Sequence, residues 1–344
     1  MTTKTDILII NNCPAFYKIN LYNEIARHRD IFVIFLGISK EVVMGDQYSE
    51  KIKFPYVLLN NFQVEDRSFL KTFINVFRLV AKRKPRKIIY GGYIEPELLA
   101  LSILSSKSKN VLQSESAAET TNSGWKYWAK TVLFSRYSKA IVSGKVHAEM
   151  LHIAKFKGEI SISKGVGFMD KRQERKVVKS RNKQLRFLYV GRLIELKNLK
   201  RLIAFFNTSG HLLTIVGDGP LGNQLRAQSK ENINFLGFVR NTEIGKVYGE
   251  HDVFVLPSLS EPWGLVAEEA LYFGLPLVLS NKVGSVEELL NENKTGVSFD
   301  PTSLPSLSAA VEEISQRYDY YSENARNFDM DAKDDCQLQA YLKL

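Results

Sequence analysis

The sequence predicts an α/β protein built from two doubly wound, parallel-sheet domains. Three observations predict it. Short β-branched or aromatic runs alternate with amphipathic stretches along the chain, a polar and basic segment interrupts them near the middle, and the alternation then starts again. A length of 344 residues is generous for one core and comfortable for two.

In the first half the strand candidates are Asp6–Ile10, Ile31–Leu36, Tyr56–Leu59, Lys87–Tyr90, Asn110–Gln113 and Ala140–Val142. Helical patterns lie between them at Lys18–Arg27, Ser68–Arg83, Pro96–Ser105 and Trp125–Arg136. The segment Met169–Lys183 has little apolar periodicity and reads as a boundary. It places an N-terminal domain at 1–168 and a C-terminal domain at 169–329. In the second half, strands are expected at Leu185–Val190, Leu212–Val216, Ile233–Leu236, Val253–Leu256 and Pro276–Leu279. Helices are expected there at Leu196–Phe206, Leu221–Ser229, Glu243–Glu250 and Gly264–Phe273. A last helix, Ala332–Lys343, is expected to pack back on the first domain, so that residues 330–344 belong with it.

Apolar residues make up 44% and charged residues 24%, which excludes a disordered or fibrous chain. Two cysteines, Cys13 and Cys336, supply neither a disulfide framework nor metal-ligand spacing, and a reducing, cytoplasmic compartment is expected. No charged leader runs into a long apolar stretch, so no signal peptide is expected, and the apolar runs are too short to span a bilayer. The net charge of +10 is uneven: residues 1–170 carry 25 Lys/Arg against 15 Asp/Glu, and residues 171–344 carry 22 of each. A basic half suits an anionic partner such as nucleic acid, anionic lipid or a phosphorylated acceptor, or else a solubilising surface. No nucleic-acid reader motif is present, and no nucleic-acid partner is expected.

In open α/β sheets ligands bind beyond the carboxyl ends of the strands, so residues that follow strands carry the functional reading. Gly191-Arg192-Leu193-Ile194-Glu195-Leu196-Lys197-Asn198 follows one strand. Arg192 leaves the strand end and Lys197 opens the next helix, so both could reach one anion, with the helix N-terminus adding partial positive charge. The alternative is a solvated turn. The second group runs from Ser258 through Glu261-Pro262-Trp263-Gly264-Leu265-Val266 to Glu268-Glu269. The amides of Gly264, Leu265 and Val266 would form an anion seat at a helix start. Glu261 and Glu269 could hold hydroxyl groups; alternatively Glu261 caps the helix and Glu268 or Glu269 belongs to a solvated face. The third group, Gly217-Asp218-Gly219-Pro220-Leu221-Gly222, matches a dinucleotide fingerprint. The next strand ends in Gly237-Phe238-Val239-Arg240 without the acidic residue that such a site needs, which argues against a nicotinamide cofactor.

Taken together, GRL-x-x-x-K-N, IVGDGP, FLGFV and EPWGLVAEEA resemble, in that order, the retaining glycosyltransferases of the GT-B fold, family-4 type, whose paired glutamates have the E-x7-E spacing of Glu261 and Glu269. The resemblance is specific over residues 185–290 and extends elsewhere by layout. It implies two Rossmann-like domains facing a cleft, the N-terminal one for the acceptor and the C-terminal one for a UDP- or GDP-sugar donor. It implies that Gly191, Arg192 and Lys197 hold the diphosphate, with Arg192 and Lys197 stabilising the leaving charge. The amides of Gly264, Leu265 and Val266 take the distal phosphate, Glu261 the sugar hydroxyls and Glu269 the ribose. Gly217, Phe238 and Val239 border the nucleotide. It implies no cofactor and no divalent metal.

The loop Asn11–Lys18 lacks the glycines that many members have, and Leu112-Gln113-Ser114-Glu115-Ser116 lacks their histidine, so Glu115 is the residue expected to face the sugar, with Ser114 beside it. The five histidines, His28, His147, His152, His211 and His251, lack ligand spacing and are expected to be structural. The acceptor is expected to be a saccharide or a lipid-diphosphate-linked saccharide. A sugar-nucleotide epimerase, a glycosyl phosphorylase and a non-catalytic nucleotide-sugar binding module are the competing readings. Two basic-aromatic stretches, Ser68–Arg83 and Asn122–Arg136, suggest peripheral contact with an anionic membrane at its inner face, or else core-facing helices with a solvated side.

Overall fold

A computed structural model of the chain describes residues 4–39, 48–92, 95–115, 124–169, 171 and 184–344. Most of the expected boundary (170, 172–183), Ser116, residues 122–123 and the side chains of Trp125 and Lys126 lie outside the described residues. The chain divides into two compact units, Met1–Met169 with Asp331–Leu344, and Asp170–Met330.

The first unit is a parallel sheet of β1 (Ile7–Asn11), β2 (Ile31–Phe35), β3 (Tyr56–Leu58), β4 (Lys87–Gly91), β5 (Asn110–Ser114), β6 (Lys139–Val142) and β7 (Glu159–Ile162). Their order is β3-β2-β1-β4-β5-β6-β7. The helices α1 (Phe16–Ala26), α2 (Phe69–Arg83), α3 (Pro96–Leu104), α4 (Gly124–Phe134) and α5 (Lys145–Ile153) connect the strands. Side chains on a strand alternate between faces, and here both faces are covered. Ile7 and Ile9 join Ile19, Tyr22 and Ile25 of α1 in one cluster. Leu8 and Ile10 join Val76 of α2 and Leu98 and Leu101 of α3 in the other. Each fully buried Ile or Leu contributes about 1.5–3 kcal/mol of transfer free energy. A continuous apolar run such as Ile7–Ile10 is therefore what a central, doubly covered strand requires.

The second unit has β8 (Arg186–Val190), β9 (Leu212–Val216), β10 (Ile233–Gly237), β11 (Val253–Leu256), β12 (Leu277–Ser280) and β13 (Gly296–Phe299). All pairs are parallel, in the order β10-β9-β8-β11-β12-β13. Its helices are α6 (Leu199–Ser209), α7 (Gly222–Gln228), α8 (Ile244–Gly249), α9 (Leu265–Tyr272), α10 (Leu304–Gln316) and α11 (Tyr318–Arg326), with a π-helical turn at Val286–Asn291. The chain winds outward from β8 through β9 to β10 and then returns to place β11 on the other side of β8. The crevice outside the ends of β8 and β11 is thus the switch point at which doubly wound sheets bind ligands.

The last helix, α12 (Met330–Leu342), completes the first unit. Ala340, Tyr341 and Leu344 enter the cluster around Ile7 and Ile9, and Arg29 and Arg86 donate to the carbonyls of Leu342 and Leu344 at 2.7 and 2.5 Å. Among the described residues no helix is long and apolar enough to cross a membrane.

The two-sheet class is as the alternation predicts. Several elements are additional: β7, β13, α5, α10, α11 and the π-helical turn. The expected helix Leu196–Phe206 starts later, because Asn198 takes a left-handed backbone (φ 56°) and ends a 3-10 turn, Glu195–Lys197, before α6 begins at Leu199.

Candidate functional site

The site of the second unit is assembled from two loops at the switch point. The loop after β8 carries Gly191 to Asn198, and the loop after β11 carries Pro257 to Gly264. The amide of Leu259 donates to Leu196 O at 2.9 Å, and Asn198 Nδ2 donates to Pro257 O at 3.2 Å and Pro301 O at 2.9 Å. These bonds hold the loops side by side. They bring Lys197 and Glu261, 64 residues apart in sequence, into an ion pair between Nζ and Oε2. Their side chains are only 15% and 13% exposed, so solvent screens the pair weakly.

Glu261 is fixed from the other side as well. Its amide donates to Lys282 O at 3.1 Å and its carbonyl accepts from Gly284 N at 2.9 Å, an isolated bridge to the loop after β12. Three residues on, Gly264 enters α9 with φ +89°, a conformation that costs a residue with a Cβ about 1–2 kcal/mol. A Cβ there would also press on Val283 and Leu256 at 3.1 and 3.3 Å. The turn delivers the amides of Leu265 and Val266 as the first turn of α9, where helix geometry supplies no internal acceptor, whereas Ala267 N already donates to Gly264 O at 2.8 Å.

Arg192 is exposed at the end of β8. Beneath it Tyr189 is fully buried, and its hydroxyl donates to Arg192 O at 3.0 Å. Burial pushes this phenol far above its ordinary range, the charge of Glu261 pushes the same way, and Arg192 opposes them. Both charged groups therefore lie close enough to act on Tyr189.

Glu269, about one turn into α9, is half-buried, and the hydroxyl of buried Tyr248 donates to its Oε2 at 2.9 Å. Burial pushes the Glu269 carboxyl up to about 7; the charge of Glu268 adds to this and the Tyr248 hydrogen bond opposes it. Glu268 is fully buried and accepts from the indole N–H of Trp263, itself 2% exposed. Neither glutamate forms a solvated helix face, which corrects that alternative. Trp263 packs inward and locks the start of α9.

Two of the three glycines of the dinucleotide-like motif, Gly217 and Gly219, have a packing explanation, and Gly222 has none. Gly217 has φ +125°, and a Cβ there would collide with the carbonyl oxygen of Gly191. Its amide donates to Gly237 O at 2.8 Å, and Leu193 N donates to Asp218 O at 2.9 Å. Asp218 Oδ2 accepts from Phe238 N at 3.1 Å, so the turns after β8, β9 and β10 are tied together, with Phe238 exposed and Val239 partly so. Gly191, Gly217, Phe238 and Val239 thus share one rim.

Glu115 belongs to the first unit. It follows β5, pairs with Lys18 of α1, and its Oε1 accepts from Gln113 Nε2 at 2.6 Å. Among the described residues no group of three His, Cys, Asp or Glu could hold a metal ion. His147 and His251 are buried, and His251 Nδ1 lies 2.6 Å from Val247 O.

Sequence reasoning passed over Tyr189 and Tyr248, named Asn198 in its motif without a role, and considered Glu268 only as part of a solvated helix face. Asn198 alone carried a signal, an Asn directly after the lysine where the chain must reverse hand.

Residues 170–332 match the family described as glycosyl transferases group 1. The matched span covers the whole of the second unit, just under half of the chain. Glycogen synthase of Mycobacterium tuberculosis is 37% identical to this chain over 137 residues, 37% of this chain and 33% of that protein. The chain therefore aligns with about a third of the length of that curated relative. Two solved structures share the architecture over nearly all of both chains. Sucrose-phosphate synthase from Thermosynechococcus elongatus superimposes with a TM-score of 0.73 at 16% identity, covering 98% of each chain. HepE of Anabaena in complex with UDP and glucose superimposes with a TM-score of 0.70 at 15% identity, covering 99% of this chain and all of that one. The fold is GT-B, and the span that matches the family contains every donor residue expected from the sequence.

Proposed function

We propose that the chain is a glycosyltransferase that moves a sugar from a nucleoside diphosphate sugar to a saccharide or lipid-linked saccharide. The observation that carries this reading is the pairing of Lys197 with Glu261 at the switch point, directly before the first-turn amides of α9. A cation, a carboxylate and bare amides within one crevice match the groups of a sugar diphosphate: phosphate oxygens for the first and last, hydroxyls for the second. The group 1 match and the UDP and glucose bound by HepE support this choice of donor.

In this reading Arg192, Lys197 and the amides of Leu265 and Val266 hold the diphosphate, Glu261 the sugar hydroxyls and Glu269 the ribose. Transfer breaks the bond between the anomeric carbon and the distal phosphate oxygen. Charge then grows on that oxygen, and fixed cations and amides favour the transition state over the ground state. The acceptor oxygen bonds to the anomeric carbon with retention of configuration, and its proton passes to the departing phosphate. The first unit takes the acceptor, with Glu115 near it.

The test is a donor panel of UDP-, GDP- and ADP-sugars read by thermal shift, since a ligand held only by the folded state raises its melting temperature. It is followed by turnover with and without lipid-diphosphate saccharides. One cognate donor and acceptor-dependent release of nucleotide are expected. Conversion of the donor without acceptor, or binding without turnover, contradicts transfer.

A further inference from the structure

The first unit has a switch point of its own. The chain winds from β1 through β2 to β3 and returns to place β4 on the other side of β1, so a crevice lies outside the ends of β1 and β4. Two polar groups flank it. On the α1 side, buried Lys18 pairs with Glu115, and Gln113 Nε2 donates to Glu115 Oε1 at 2.6 Å. On the α3 side, Arg67 pairs with Glu95 and, at 2.9 Å, with buried Glu97, while Asn12 Nδ2 donates to Glu95 Oε1 at 2.8 Å. Asn11 fixes the turn after β1: its Nδ2 donates to the Tyr22 hydroxyl and its Oδ1 accepts from Asn12 N, both at 2.8 Å. At Gly91 a Cβ would collide with Ile10 O at 2.7 Å, and at Gly92, with φ +127°, a Cβ would meet nothing within 4 Å. These two glycines leave space at the end of β4.

The two side-chain amides share an incomplete pattern. Each gives its N–H to a glutamate, and the carbonyl oxygens, Asn12 Oδ1 and Gln113 Oε1, are buried with no hydrogen-bond partner among the described residues. A buried acceptor left without a donor costs about 1–3 kcal/mol, so each calls for an occupant. Gln113 is 4% exposed, and its oxygen lies beside the Glu115 carboxylate, to which its own nitrogen is bonded. Lys18 and Arg67 are already engaged by Glu115, Glu95 and Glu97, three carboxylates to two cations. What this lining lacks is hydrogen-bond donors. We infer that the crevice receives the acceptor as an unphosphorylated sugar, whose hydroxyls donate to Asn12 Oδ1, Gln113 Oε1 and the carboxylates of Glu95 and Glu115. A hydroxyl reaches Gln113 as the partly exposed Glu115 side chain turns toward it. A phosphate brings accepting oxygens and charge of the same sign as the lining, and is refused. Lys18 and Arg67 are positioning residues, which hold the glutamates and do not touch the sugar. The choice of a sugar rests on the transfer reading; the residues that receive it and the refusal of its phosphorylated forms go beyond that reading.

The test is a saturation-transfer NMR titration of the full chain, without nucleotide. The probes are the methyl glycosides of glucose, galactose, mannose and N-acetylglucosamine, the 6-phosphates of the same sugars, and spermidine as a donor-rich cation. At least one neutral glycoside is expected to bind, at least about tenfold more tightly than its 6-phosphate. Gln113→Met should weaken that binding about tenfold and Asn12→Ala about fivefold, with the donor thermal shift unchanged. Asn12 is partly exposed, so Asn12→Ala keeps the test decisive if Gln113→Met fails to fold. Lys18→Met should weaken the glycoside as well, and Lys18→Arg should recover part of the loss. Failure of every neutral glycoside to bind, tighter binding of a 6-phosphate or of spermidine, or wild-type affinity in a folded Gln113 or Asn12 variant overturns the proposal. A donor panel without a cognate nucleotide sugar, alongside intact glycoside binding, sinks the transfer reading and leaves the sugar site standing.

Discussion

Glu269 offers a prediction in which charge state and ligand compete. Its carboxyl titrates near 7 in the folded chain because burial, with Glu268 beside it, outweighs the hydrogen bond from Tyr248. If the carboxylate accepts the ribose hydroxyls, donor binding needs the ionised form. With a midpoint near 7, about one eleventh of the chains are competent at pH 6 and about ten elevenths at pH 8, so the apparent donor Kd should be about tenfold weaker at pH 6. The opposite sign holds for the empty protein. A carboxyl raised in the folded state contributes stability in full below the unfolded value near 4.5, and that contribution is lost as the pH rises through about 7. The assay is calorimetric titration of the cognate sugar nucleotide between pH 5.5 and 8.5; a phosphodiester donor does not itself titrate there. Glu269→Gln should flatten the profile and bind weakly throughout. A wild-type profile without slope, or the same slope in Glu269→Gln, refutes the reasoning.

Two further outcomes test how the loops are held. Asn198→Ala removes two hydrogen bonds and forces a Cβ residue without a polar side chain into the left-handed region; it should cost about 2–3 kcal/mol in urea unfolding and weaken donor binding through Lys197. Gly217→Ala drives a methyl into the Gly191 carbonyl at a positive φ and should destabilise the second unit by more than about 2 kcal/mol, whereas Gly222→Ala, with its nearest neighbour 3.6 Å away, should be close to neutral.

The parts of the fold that were legible in the sequence are those where burial is strongest. β1 and β11 are buried on both faces, and their apolar runs stand out. β7 reads Glu-Ile-Ser-Ile and β13 Gly-Val-Ser-Phe; both are edge strands, half-exposed and four residues long, and neither produces a run. The strand-end motifs were legible because loops at a switch point are polar and glycine-marked against an apolar background. The partnership of Lys197 with Glu261 was not, since it depends on β8 and β11 being neighbours across 64 residues of chain. Tyr189 and Tyr248 look like core aromatics in the sequence, and only the direction of each hydroxyl shows a role. Glu268 resembles a surface residue until its bond to Trp263 is seen.

The claim on which the functional account turns is that the lysine after β8 grips a phosphate of the donor. Titrating the cognate sugar nucleotide into Lys197→Ala, with Lys197→Arg as the charge-preserving control, tests it most directly. Loss of a charged hydrogen bond at a half-buried site predicts at least about tenfold weaker binding in the alanine variant, partial recovery in the arginine variant and unchanged folding. An alanine variant that binds the donor as tightly as wild type would contradict the account.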